Sequence, residues 1–145
     1  MTRFASFAAT IVAALACSVA LAAAGAVVGN RHSSLGTFLV TSSGRTLYLF
    51  AADPRNHTTC SGPCAGTWPP LTTAGTPKAS GAVKQALLGT IKRGSTEQVT
   101  YAGHALYTYS GDMRPGDTNS QNLKLFGAKW FVVGLGGAAI TKASG

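Results

Sequence analysis

The sequence predicts an all-β fold: two similar three-stranded β units sharing one core, preceded by an N-terminal export segment. Three observations carry that reading. The segment from Val40 to Asp53 (V-T-S-S-G-R-T-L-Y-L-F-A-A-D) returns as Val99 to Asp112 (V-T-Y-A-G-H-A-L-Y-T-Y-S-G-D) at a constant offset of 59. Self-similarity of this kind marks one structural unit used twice. Within each copy, apolar and aromatic residues alternate with the period of two that a strand requires. The composition is poor in helix formers: 18 of the 145 residues are glycine. Charged residues make up 11%, against about 25% in a typical soluble domain.

The elements follow in order. Arg3 precedes an uncharged apolar and small-residue run from Phe4 to Gly29, and the next charge is Arg31. Residues 1–26 therefore read as a signal peptide or membrane anchor. Small-residue cleavage sites stand at Ala22-Ala23-Ala24 and Ala24-Gly25-Ala26. Ala14-Leu15-Ala16-Cys17 resembles a lipobox and offers Cys17 for lipidation. All three fates place the rest of the chain outside the cytoplasm, secreted or attached to the outer face of the cell membrane. Residues 27–34 read as a short linker, 35–71 as the first repeat, 72–87 as a linker, 88–133 as the second repeat and 134–145 as a C-terminal strand or tail. Leu35–Thr41 and Arg45–Phe50 form a hairpin around Ser42-Ser43-Gly44, and Thr96–Tyr101 and His104–Tyr109 repeat it around Ala102-Gly103. Leu35-Gly36-Thr37 matches Leu88-Gly89-Thr90 at offset 53, which implies a six-residue insertion in the second copy. Asp53-Pro54-Arg55-Asn56 fits a type I turn and Pro115-Gly116 the centre of a type II turn. Trp68–Leu71 and Trp130–Val133 complete each unit as third strands. Ala82–Leu88, bracketed by Gly81 and Gly89, has room for two helical turns.

Outside the cytoplasm, an even pair of cysteines reads as a disulfide, and Cys60 and Cys64 in C-S-G-P-C are such a pair. The alternative is an extracytoplasmic redox or copper/zinc-binding protein using His57, Cys60 and Cys64, which requires the thiols to be reduced and a further ligand from elsewhere. No C-x-x-C-H is present for covalent haem, and the sequence implies no cofactor.

Twelve Lys and Arg face four Asp and Glu, a net charge of +8. The basic residues are scattered rather than gathered on one stripe, which argues against nucleic acid as a partner. An envelope component or an anionic surface polymer suits such a surface better. Contact with a membrane is expected only through the N-terminal segment.

Tyr48-Leu49-Phe50-Ala51-Ala52-Asp53 and Tyr107-Thr108-Tyr109-Ser110-Gly111-Asp112, with the C-x3-C-x3-W-P-P-L stretch from Cys60 to Leu71, resemble a bacterial family of secreted repeats of unknown function, predicted lipoproteins with a Y-x-[FWY]-x-x-D motif. The resemblance implies an envelope location and a repeat architecture, with no reaction, substrate or cofactor attached.

Two roles compete for the doubled motif, Tyr48, Phe50, Asp53 and Trp68 with Tyr107, Tyr109, Asp112 and Trp130. Alternate-position aromatics on a strand pack into a core, with the aspartates capping turn amides. Alternatively the same groups line a groove between copies. Catalysis is poorly supplied: there is no G-x-S-x-G and no H-E-x-x-H, and the three histidines, His32, His57 and His104, are dispersed. A carboxylate pair for glycoside hydrolysis would have to be Asp53 and Asp112. The expectation is a non-enzymatic binding or structural module.

Overall fold

A computed structural model of the chain describes residues 11–18 and 23–144. Most of the expected export segment therefore lies outside the described residues, including the first ten positions and Ala22 of one cleavage site. Residues 11–18 carry no regular structure, and Cys17 is an exposed free thiol. Among the described residues, no helix is long and apolar enough to cross a membrane.

The all-β expectation holds. Among the described residues, ten strands run in the order β1 (Gly25–Ser33), β2 (Gly36–Thr41), β3 (Tyr48–Phe50), β4 (Thr72–Thr73), β5 (Gly75–Ala79), β6 (Leu88–Arg93), β7 (Thr96–Tyr101), β8 (His104–Ala105), β9 (Lys124–Leu125) and β10 (Ala128–Val132). One short helix, α1 (Pro63–Thr67), and a 3₁₀ turn at Gln85–Leu87 interrupt them. The strands form three small sheets, ordered β2-β1-β5, β3-β10-β9 and β4-β7-β6, with β8 added to β7.

Each copy opens with an antiparallel hairpin. β1 pairs β2 from Val28↔Thr41 to Ser33↔Gly36, and β6 pairs β7 from Leu88↔Tyr101 to Arg93↔Thr96. The hairpins are equivalent at an offset of 60, so Leu88 corresponds to Val28. This corrects the match of Leu35-Gly36-Thr37 to Leu88-Gly89-Thr90: there is no six-residue insertion, and a short identity had aligned the second strand of one hairpin with the first strand of the other. The first copy thus begins in β1, over the residues expected as a linker at 27–34. Gly25 is enclosed there, since a Cβ at this position would lie 1.7 Å from the Thr76 carbonyl oxygen. The offset falls to 59 at the next turn, because the first copy uses a three-residue loop: the Thr41 amide donates to the Arg45 carbonyl across Ser42-Ser43-Gly44. In the second copy Tyr101 pairs His104 across two residues, Ala102-Gly103.

The third segments are exchanged between copies. β10 of the second copy pairs β3 of the first, Trp130 opposite Phe50 and Val132 opposite Tyr48. In return, Pro70 of the first copy bridges Tyr107 of the second, flanked by Leu71 amide to Leu106 carbonyl and Thr108 amide to Pro69 carbonyl, both 2.9 Å. Trp68–Leu71 is not a continuous strand as expected. Trp68 caps α1, and Pro69 and Pro70 have no amide to donate to a ladder. The expected linker at 72–87 holds β4, β5 and the 3₁₀ turn, β5 running parallel to β1. Ala82–Leu88 does not form an α-helix, because Leu88 already opens β6. The tail folds back, with Ile140 amide bonded to Val132 carbonyl at 2.8 Å.

At the centre, Tyr48 and Tyr107 exchange backbone bonds, 2.8 Å from Tyr48 amide to Tyr107 carbonyl and 3.0 Å in return. A local pseudo-twofold axis passes between them. Alternation along the motif strands divides the interior. Tyr48, Phe50, Trp68, Tyr107 and Trp130 belong to one apolar cluster, and Leu47, Leu49, Leu106, Val99 and Val133 to a second. Both clusters draw on both copies, so the units are interdigitated rather than merely apposed.

Candidate functional site

The residues of the doubled motif meet around that axis. Phe50, Trp130, Trp68 and Tyr109 form a continuous stack, with ring centroids 4.3, 4.1 and 5.2 Å apart in that order, the two indoles inclined by only 2°. Each copy contributes one ring from its motif strand and one tryptophan, and each motif ring lies on the tryptophan of the other copy. Tyr107 meets Trp130 edge-on at 5.1 Å. Tyr48, Tyr107, Trp68 and Trp130 are fully buried, Phe50 is nearly so and Tyr109 is half-buried. The geometry is that of a packed core, with no groove between the copies at this place.

The tyrosine hydroxyls explain the aspartates. Tyr48 donates to Asp112 Oδ2 at 2.6 Å, and Tyr107 donates to Asp53 Oδ2 at 2.5 Å. Each tyrosine therefore bonds the aspartate of the other copy. The second oxygen of each carboxylate closes its own loop: Asp53 Oδ1 accepts from the Thr59 amide and hydroxyl, and Asp112 Oδ1 accepts from the Asn119 amide. Thus the aspartates do receive turn amides, and they receive a buried phenol besides. The sequence carried a signal for this in the identical Y-x4-D spacing of the two copies, but only the twofold arrangement shows that the bonds cross.

Burial, reinforced by the Asp112 carboxylate, pushes the Tyr48 hydroxyl well above its ordinary range, and burial with Asp53 does the same to Tyr107. Both remain protonated donors. Burial also raises Asp112, against the hydrogen bond from Tyr48. Burial lowers His104, and the neighbouring Arg55 adds to the shift. Acid–base catalysis needs a titratable group within reach of a substrate proton. Here both motif carboxylates are occupied by donors of the chain itself.

Several supporting residues were not foreseen. Trp68 Nε1 donates to Ser120 Oγ at 2.9 Å, and Thr58 Oγ1 lies 2.6 Å from the Tyr107 hydroxyl. Arg93 bonds Thr58, Gln98 and the Cys60 carbonyl. Buried Gln98 donates to the Leu106 carbonyl at 2.9 Å. Among the described residues, no buried side-chain polar atom lacks a partner. These polar positions had no distinguishing spacing, since their partners lie 5 to 52 residues away.

Cys60 and Cys64 are joined as a disulfide that closes the approach to α1. The thiolates required by the copper or zinc alternative are thereby used, and His57 sits in an exposed loop with Nδ1 directed at the Asn56 carbonyl, 3.0 Å away. Among the described residues, no group of three or more His, Cys, Asp or Glu converges on one point.

Fold and site together define a β-repeat domain, two copies of one motif locked by reciprocal tyrosine–aspartate bonds. The chain matches the model of a family described as "secreted repeat of unknown function" twice, over residues 31–72 and 89–134, and it belongs to that family. The description places the domain outside the cytoplasm. Comparison with curated proteins and with solved structures gave no match.

Proposed function

We propose that this protein is a non-enzymatic binding or structural module of the cell envelope, held at the outer face of the membrane by its N-terminal segment and directed toward anionic surface polymer. The observation that carries this reading is that each motif carboxylate accepts a buried tyrosine hydroxyl from the other copy and an amide of its own loop, which gives the doubled motif a structural task. The charge balance supports the choice of partner. Twelve basic residues outnumber four acidic ones. The arginines that make hydrogen bonds spend them mainly on carbonyls: Arg45 on those of Tyr109 and Asp112, Arg55 on that of Ala102. Their charge is therefore not cancelled locally and adds to a positive surface field.

The test is retention of the natively purified protein on a poly(glycerol phosphate) matrix. The reading requires retention at low ionic strength and release as salt approaches about 0.15 M, where the Debye length shortens to about 8 Å. Flow-through at every salt concentration contradicts it.

A further inference from the structure

The two copies reach their equivalent tryptophans in different ways. In the first copy the residues before Trp68 are Pro63–Thr67, the helix α1. It carries neither a charge nor a large apolar side chain, and Cys64 is buried in the disulfide. In the second copy the residues before Trp130 belong to the β9–β10 hairpin. Ala128 pairs Leu125 and Lys129 pairs Lys124, so Phe126 and Gly127 form the two-residue turn between the strands. Both have positive φ, 59° at Phe126 and 90° at Gly127. That is the pattern of a type I′ turn, in which the first position favours Asn, Asp or Gly and a bulky side chain is strained.

The hairpin has two unlike faces. Leu123, Ala128 and Trp130 belong to the aromatic cluster, and alternation places Leu125 on that same face, at the edge of the core. There Leu125 is 46% exposed, and Phe126, edge-on to Trp68 at 6.0 Å, is 50% exposed. Nothing stands within 4 Å of a Cβ placed on Gly127, so the tip borders open space. On the opposite face Lys124 and Lys129 are exposed and directly opposed. Like charges in that register repel, so the pair costs stability unless an anion lies beside it. β3, the strand on the other side of β10, leads into Asp53, whose two oxygens accept from Tyr107 and from Thr59. An aromatic against the preference of its turn and a lysine pair against the preference of its register thus share one projecting tip.

We infer that the β9–β10 hairpin docks tip-first on an anionic lipid surface, with Leu125 and Phe126 entering the headgroup region and Lys124 and Lys129 meeting lipid phosphates. The inference goes beyond the polymer-binding reading and adds a second membrane contact to the N-terminal segment, the only one expected from the sequence. The lysines stand two residues behind the turn, roughly 7 Å at strand spacing, and an interfacial apolar element sinks about 5–10 Å. Their long aliphatic stems let the ammonium groups find the phosphates at that depth. Charge complementarity selects anionic lipid, because each lysine near such a surface adds to the attraction. A soluble polyanion would neutralise the lysines and leave Leu125 and Phe126 in water. A convex tip of two apolar side chains is far smaller than the ~800 Å² per partner of a stable protein interface.

The experiment is amide-resolved NMR of the natively purified full chain with bilayer nanodiscs of equal parts phosphatidylglycerol and phosphatidylcholine, a headgroup spin label marking the lipid surface. Nanodiscs of phosphatidylcholine alone and poly(glycerol phosphate) in solution form two further arms. Paramagnetic broadening is a local readout, whether or not the N-terminal segment also holds the protein to the disc. Broadening is expected to centre on Leu125, Phe126 and Gly127, to extend to Lys124 and Lys129, to spare Ala65–Thr67 of α1, and to be lost on phosphatidylcholine alone. The Lys124→Gln/Lys129→Gln pair should lose it. Phe126→Asn, which suits the turn better than the native residue, and Leu125→Ser, which leaves the Trp68 contact in place, should each lose it while the rest of the spectrum keeps its dispersion. Lys78→Gln/Lys84→Gln removes as much charge outside the hairpin and should change nothing at the tip. Broadening centred elsewhere, or tip broadening that survives in the Lys124/Lys129 pair variant or in Leu125→Ser, overturns the proposal. Hairpin shifts from the polymer with no tip broadening from nanodiscs overturn it in favour of a soluble polyanion and leave the polymer-binding reading standing. Tip broadening without retention on the polymer matrix supports the hairpin and defeats the polymer-binding reading.

Discussion

Tyr48 and Tyr107 occupy equivalent positions, yet their partners are not equally shielded. Asp112 is 3% exposed, whereas Asp53 is half-buried and can hydrate. Removing a hydroxyl that bonds a carboxylate typically costs about 1.5–3 kcal/mol, and more when the acceptor is stranded away from water. Tyr48→Phe should therefore lower stability by about 2–3 kcal/mol and Tyr107→Phe by about 1–2 kcal/mol, as read by denaturant melts. Equal losses would mean that the difference in shielding is immaterial. Asp112 also sets a pH dependence. Burial raises its folded-state pKa, so the folded chain binds that proton more tightly than the unfolded chain. The associated stabilisation is fully present below about pH 4 and is lost as pH rises through the folded value. Relative to Asp112→Asn, the parent should thus lose ground between acid and neutral pH, which paired thermal melts would record. A parent that gains on the variant over that range would refute the sign.

At the scale of elements, one strand of each hairpin, β2 and β7, and the turn that follows it were legible because their signals are local. Alternation placed β7 at Thr96–Tyr101 without error, and Ser42-Ser43-Gly44 and Ala102-Gly103 marked the turns. β1 was hidden because its residues continue the apolar run of the export segment, and a strand and a leader draw on the same small and branched residues. β5 was hidden in a stretch rich in Thr, Gly and Pro that resembles a linker; it exists because it pairs with β1 rather than through its own propensity. The cross-copy bonds left no local trace, since crossing is a property of the twofold arrangement. Also at this scale stands the Cys60–Cys64 bridge. It closes a very short loop, for which chain entropy predicts about 2 kcal/mol. The Cys60→Ser/Cys64→Ser double variant should lose at least that amount in an equilibrium melt, because both residues are also buried in the aromatic cluster. Unchanged stability would show that α1 needs no staple.

Across the whole molecule, exchange of the third segments makes each copy depend on the other. Residues 25–87 alone would lack Trp130, on which both Phe50 and Trp68 stack, and would lack the strand that pairs β3. The isolated first copy should be unfolded, with a collapsed amide NMR spectrum; a dispersed spectrum would show the units to be independent. The pseudo-twofold body leaves its motif inside, which is why the family motif reports architecture. The account turns on reciprocity between the copies, and double-mutant cycles measure it. Tyr48→Phe with Asp112→Asn, and Tyr107→Phe with Asp53→Asn, should each show a coupling of about 1 kcal/mol or more, while the within-copy pairs Tyr48→Phe with Asp53→Asn and Tyr107→Phe with Asp112→Asn should add to within about 0.5 kcal/mol. Coupling confined to the within-copy pairs, or absent from all four, would contradict the account.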